Sequence, residues 1–104
     1  MTDESTLGGY VAVHARPPAF EGVDGMPYSV DIGVDETGDP AAPLGAFLLF
    51  VRWGMGADGP AVKGHLESSF LATGADEADV RTMVERMPLL TVKATLDGLI
   101  RRAS

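Results

Sequence analysis

His65 and Glu67 are the side chains whose types and spacing best suit chemistry in this sequence. Residues two apart in a β-strand point to the same face, about 6–7 Å from each other. With Asp31 from a neighbouring strand and His14 as a further nitrogen, they offer ligands of the kind that hold a metal ion. Two polar strand residues that face water or a subunit interface explain the same spacing. We therefore expect no metal, no cofactor and no catalytic residue here.

Arg52, beside the only tryptophan, Trp53, is the other side chain that could bind a ligand. A planar guanidinium suits carboxylate and phosphate groups. On a sheet, an arginine also pairs readily with carboxylates of the adjacent strands. We expect Arg52 to pair with Asp31 or Glu67 in this way, and Trp53 to lie in the core.

Three further motifs indicate ordinary structure. Ser68 and Ser69 lack the flanking glycines of a G-x-S-x-G nucleophile elbow. The glycine-rich segment 54–59 lies between two predicted strands and lacks the lysine of a P-loop, so it predicts a hairpin loop. The acidic residues within 31–39 do not follow the spacing of a calcium-binding loop, and we interpret them as a solvated strand edge.

The composition limits the classes of function. The chain has 104 residues, 15 acidic and 8 basic side chains, a net charge of −7 and no cysteine. This length predicts one domain with one modest core, and we expect residues 1–8 to form a disordered polar tail. The acidic balance disfavours nucleic acid and anionic membranes as partners. Without cysteines, a signal-like start or a long apolar run, the sequence predicts a cytoplasmic protein.

Hydrophobic periodicity predicts four strands followed by two helices. Apolar and polar residues alternate most clearly over 28–35, and the other strands are predicted at 9–16, 44–53 and 62–71. The first helix begins at Thr73 or Asp76, and the second runs from about Pro88 or Thr91 to Arg102. This order predicts an α+β fold, with a four-stranded antiparallel meander sheet followed by two C-terminal helices packed on one face.

The hairpin register decides which sheet face the helices cover. With Val34 opposite Phe47, each apolar residue of the second predicted strand meets an apolar residue of the third, and we expect this face to lie beneath the helices. The opposite face then carries six residues that form a candidate site or interface: Asp31, Leu48, Phe50, Arg52, His65 and Glu67. An uncovered apolar stripe rimmed by charge is typical of an interaction surface.

The order of these elements resembles the SecB-like export chaperones. The similar features are the three long strands at 28–35, 44–53 and 62–71, the acidic helix start at 76–80, and the apolar segments at 87–90 and 96–100 that lead into and close the last helix. The resemblance implies a chaperone that binds unfolded chains in a long apolar groove. It assigns no functional residue of this chain.

These observations predict a non-enzymatic module that forms a homo-oligomer, most simply a dimer, through the uncovered sheet face. Two alternatives stay open. One is an enzyme that binds a small ligand or a metal on that face, and the other is a SecB-like chaperone.

Overall fold

The computed structural model describes residues 4–103, which form three helices and five strands. The helices are α1 (Leu7–His14), α2 (Glu77–Glu85) and α3 (Leu89–Ala103). The strands are β1 (Ala19–Glu21), β2 (Pro27–Glu36), β3 (Leu44–Gly56), β4 (Gly59–Glu67) and β5 (Ala72–Gly74).

The sheet is an antiparallel meander in the order β1-β2-β3-β4. β3 is its central strand: β2 lies along one edge of β3, and β4 and then β5 lie along the other. The predicted α+β class, with a four-stranded antiparallel meander and two C-terminal helices, is confirmed. The short strands β1 and β5 and the N-terminal helix are elements that the periodicity did not predict.

The register between β2 and β3 differs from the predicted one by a single residue. Val34 lies opposite Ala46, and Val30 lies opposite Phe50. The expected pairing of Val34 with Phe47 is therefore wrong. Because successive side chains of a strand point to opposite faces, this shift turns over every residue of β3 relative to the prediction.

The inner face of the sheet, which α2 and α3 cover, carries the core. Phe50 and Leu48 have no exposed surface, and they pack with Val80 and Val84 of α2 and with Leu96 of α3. The side chain of Asp76, one of the two predicted N-caps, accepts a hydrogen bond from the backbone N–H of Asp79 at 3.2 Å. This cap fixes where α2 begins, so its apolar stripe faces the sheet.

The segment predicted as a first strand, residues 9–16, is instead helical. α1 begins after Thr6, whose Oγ1 accepts a hydrogen bond from the backbone N–H of Gly9 at 3.1 Å. It ends at Ala15, which adopts a left-handed conformation with φ of 54°. At Gly8 an added Cβ would lie 2.7 Å from the Cβ of Glu85, so a glycine is needed for α1 to approach α2 this closely.

The prediction of a disordered tail is wrong for residues 5–8. The backbone N–H of Leu7 donates to the carbonyl of Met87 at 2.9 Å, and the N–H of Leu89 donates to the carbonyl of Ser5 at 2.7 Å. Leu7 is only 2% exposed. This part of the chain is therefore tied to the junction between α2 and α3, whereas residues 1–3 lie outside the described range.

Candidate functional site

The register divides the six predicted site residues between the two faces of the sheet. Asp31 and Glu67 lie on either side of Leu49, and His65 lies opposite Val51; all three side chains are exposed on the outer face. The remaining three, Leu48, Phe50 and Arg52, lie on the inner face. The prediction that all six share one surface is therefore wrong for these three. Leu48 and Phe50 are fully buried in the core and are not on any surface.

An apolar row does occupy the outer face, but it is made of different residues. Phe47, Leu49, Val51 and Trp53, which we call the outer stripe, alternate along β3 with the core residues. All four are half-buried. None belongs to the buried core or packs against it. Within residues 4–103, then, the central strand presents two apolar faces, and the helices cover only the inner one.

Aromatic side chains at the two ends of the outer stripe lie over small residues. The Phe47 ring occupies the space above Gly33, where an added Cβ would lie 2.3 Å from its Cζ. Phe70 covers Gly45 in the same way and meets Phe47 edge to face, with ring centroids 6.2 Å apart. At the other end, Trp53 Nε1 donates to Ser29 Oγ at 2.9 Å. Trp53 is thus on the outer face and not in the helix-covered core as predicted.

A second feature is a cleft of about 380 Å³ on the inner side, between the β1–β2 loop, the middle of β4 and the end of α3. Its charged and aromatic lining comes from Asp24, Tyr28 and Arg52, and β4 contributes the stretch from Gly64 to Leu66. Leu66 and Ile100 supply apolar wall. This is the place where the structure brings a cation, a carboxylate and a phenol together.

Arg52 lies at this cleft because it shares the inner face of β3 with Phe50, and a β-bulge interrupts the β3–β4 ladder beside it. Lys63 is the extra residue, since Arg52 lies opposite Gly64 and Trp53 lies opposite Val62. A bulge takes a residue out of regular pairing, and the Lys63 carbonyl accepts a hydrogen bond from Arg52 Nη2 at 3.0 Å. The expected pairing of Arg52 with Asp31 or Glu67 is wrong, because those carboxylates lie on the other face.

Asp24 and Tyr28 hold each other in the cleft. Tyr28 Oη donates to Asp24 Oδ2 at 2.8 Å, and the Met26 backbone N–H donates to Asp24 Oδ1 at 3.0 Å. Burial, and then the neighbouring Asp24 carboxylate, raise the pKa of the Tyr28 phenol, while nearby Arg52 opposes the rise. The sequence showed only a turn signal at 24–25, so this part of the site was missed.

α3 fixes the loop that carries Asp24. The backbone N–H of Val23 donates to Asp97 Oδ1 at 2.9 Å, and Lys93 Nζ donates to the other oxygen of the same carboxylate. These bonds lower the pKa of Asp97, the bond from Lys93 most of all. The Val23–Asp97 bond therefore ties the loop to α3, and Lys93 holds the Asp97 carboxylate in place within the same helix.

The other motifs have structural roles in the described part of the chain. Ser68 Oγ accepts from the Leu48 backbone N–H at 2.9 Å and donates to the Ser69 carbonyl at 2.8 Å, which bridges the gap between β4 and β5. No group of three or more histidine, aspartate or glutamate side chains among residues 4–103 is placed to hold a metal ion.

Comparison with protein-family models, curated proteins and solved structures finds no match to this chain. Across residues 4–103, no helix combines the length and the apolar character needed to cross a membrane.

Proposed function

We propose that this protein is a non-enzymatic, self-associating module in which the outer stripes of two copies pack against each other. The observation that carries the proposal is the outer stripe itself: four apolar side chains on the central strand that take no part in the core. Two antiparallel sheets that stack face to face bury such rows at a separation of about 10 Å. A homodimer of this kind is isologous, because the same surface serves both copies.

The exposed surface area of the chain is larger than that of a typical monomer of the same mass. A compact monomer of 10.9 kDa is expected to expose about 5,600 Å². The chain exposes 6339 Å² and forms a slab only 25 Å thick. The excess is about 700 Å², so this slab leaves more surface exposed than a typical monomer of its mass.

The free edge of β2 is protected, which favours association through the face. Asp31 Oδ1 accepts from the Ile32 backbone N–H, and Asp35 Oδ1 accepts from that of Glu36, both at 2.8 Å. Arg81 Nη1 donates to the Ile32 carbonyl at 3.2 Å. Edge groups satisfied by side chains offer little to an incoming strand. On the other side, β4 carries a proline and the bulge, which weaken that edge as a template.

Sedimentation equilibrium on the wild type and on a Leu49→Lys variant tests the proposal. Leu49 is flanked by Asp31 and Glu67, so a lysine there gains cross-strand ion pairs within one copy and places a charge at the centre of the stripe. Leu90→Lys is the matched control, since Leu90 is 86% exposed at the start of α3. We expect twice the chain mass for the wild type and for Leu90→Lys, and the single mass for Leu49→Lys.

A wild type that stays at 10.9 kDa up to millimolar concentration overturns the proposal. So does a Leu49→Lys variant that remains folded by circular dichroism and is still dimeric. If the wild type is monomeric and slows the aggregation of a reduced model substrate, and Leu49→Lys abolishes that effect, a chaperone-like role takes the place of self-association. Stabilisation of the wild type by divalent ions that His65→Ala removes would instead favour the small-ligand or metal-binding alternative.

A further inference from the structure

We propose that the cleft beside Arg52 binds a small organic molecule that carries one carboxylate on an apolar body. This site is on the inner side of the sheet and is independent of self-association through the outer stripe. Three features of the described residues point to it: the unused donors of Arg52, the charge of the lining, and the shape of the space.

Arg52 has more hydrogen-bonding capacity than the surrounding chain uses. A guanidinium presents five N–H donors. Nη2 donates to the Lys63 carbonyl, and the guanidinium also interacts with the Tyr28 hydroxyl, whereas Nε is buried without a partner among the described residues. No carboxylate within residues 4–103 forms an ion pair with Arg52. A half-buried cation without a counter-ion is unfavourable, and a bound carboxylate would offset that penalty.

The acidic group nearest in the cleft is already engaged. Both oxygens of Asp24 accept hydrogen bonds, one from the Tyr28 hydroxyl and one from the Met26 backbone. Its negative charge nevertheless lines the same space. With one cation and one anion in the lining, the cleft favours a singly charged ligand over a doubly charged one such as phosphate.

The shape of the cleft also suits a small carboxylate with an apolar body. Its volume, about 380 Å³, lies within the range of small-molecule pockets. Gly64 borders the guanidinium, and the Cβ of an alanine there would make an ordinary van der Waals contact with Arg52 Nη2 at 3.5 Å. Leu66, Ile100 and the Tyr28 ring provide apolar wall for the rest of the molecule.

Nitrogen-15 NMR of the full chain tests the proposal with sodium benzoate as the probe and sodium phosphate as the competitor class, at constant ionic strength. The Arg52 Nε–H signal, assigned by its loss in Arg52→Met, reports on the state of the guanidinium, since Nε itself is buried beside the cleft. We expect it to shift saturably with benzoate and to respond much less to phosphate. Arg52→Met keeps the apolar stem and should weaken benzoate binding at least about tenfold, as loss of a charge-assisted hydrogen bond predicts.

Arg86→Met is the matched control, because Arg86 is an exposed arginine at the end of α2, and it should bind benzoate like the wild type. Arg52→Lys keeps the charge without the planar fork and should bind with intermediate affinity. It serves as the informative variant if Arg52→Met does not fold. A shift that stays linear in benzoate concentration, or equal binding by Arg52→Lys and the wild type, overturns the proposed site. An equal response to phosphate overturns the carboxylate assignment.

Discussion

Replacing Leu48 and Leu49 separately by alanine tests the register on which both functional surfaces depend. The two residues are adjacent and chemically identical, yet Leu48 is fully buried beneath the helices and Leu49 is half-buried on the outer face. In the register with Val34 opposite Phe47 their positions would be exchanged. The relative effect of the two substitutions on the free energy of unfolding therefore identifies the face on which each side chain lies.

The burial of each leucine determines how much free energy of unfolding its replacement should cost. Leu48→Ala leaves a cavity among core side chains that cannot follow the lost atoms, and such substitutions lower the free energy of unfolding by about 3–5 kcal/mol. Leu49→Ala loses only part of that burial and leaves a depression that water can enter, so we expect a loss of about 1 kcal/mol in the monomer. The difference, about 2–4 kcal/mol, is a large part of the stability of a domain of this size.

Urea unfolding followed by circular dichroism measures this difference. With a slope of about 1–1.5 kcal/mol per molar urea for a small domain, the midpoint of Leu48→Ala should lie about 2 M below that of Leu49→Ala. Measurements at two protein concentrations separate the monomer term from any contribution of self-association, which only Leu49→Ala should change. If Leu49→Ala is the more destabilising variant at the lower concentration, the register and the face assignment drawn from it are wrong.

Three further substitutions test local features of the fold. Asp97→Asn should lower the free energy of unfolding by about 1–2 kcal/mol at pH 7. Because the pKa of Asp97 is lowered in the folded state, the difference in stability from the wild type should disappear as pH falls through that pKa. A difference that stays constant with pH would contradict the role assigned to Asp97. Asp76→Ala removes the N-cap of α2 and should cost about 1 kcal/mol in thermal unfolding, whereas no loss would show that the cap is dispensable. Ala15→Gly relieves the left-handed residue after α1 and should stabilise by about 0.5–1 kcal/mol, and destabilisation would contradict the strained geometry.

Local signals in the sequence were sufficient for some elements. In β2 the alternation of apolar and polar residues is strict enough to identify both the strand and its buried face, and Tyr28 and Val30 are indeed buried. Asp76 marks the start of α2 by a mechanism that involves only its own neighbours, an N-cap bond to a backbone N–H three residues on. Such features can be predicted from the sequence because no distant residue is needed to produce them.

The N-terminal helix depended on contacts that local patterns do not reveal. Gly8, Val11 and Val13 are poor helix formers, and the segment has too few polar residues for period two and period 3.6 to be told apart. The close approach of Gly8 to Glu85 and the burial of Leu7 are tertiary effects. The N-cap Thr6 and the prolines after the helix were the available signals.

β3 explains why the apolar character of the outer face was predicted while its apolar residues were not. The strand is apolar on both sides, so its own pattern cannot choose between the two registers, and the seven residues 37–43 between β2 and β3 are too many to impose one. In either register the helices cover one apolar row of β3 and leave the other outside, which makes an uncovered apolar face independent of the choice. The position of Arg52, in contrast, depends on the register between β2 and β3. A shift of one residue takes it from the rim of that face, beside Asp31 and Glu67, to an inner cleft where none of the carboxylates of residues 4–103 forms an ion pair with it. The single-residue shift therefore keeps an uncovered apolar face, on which the proposed self-association rests, and places Arg52 in the cleft, on which the proposed ligand site rests.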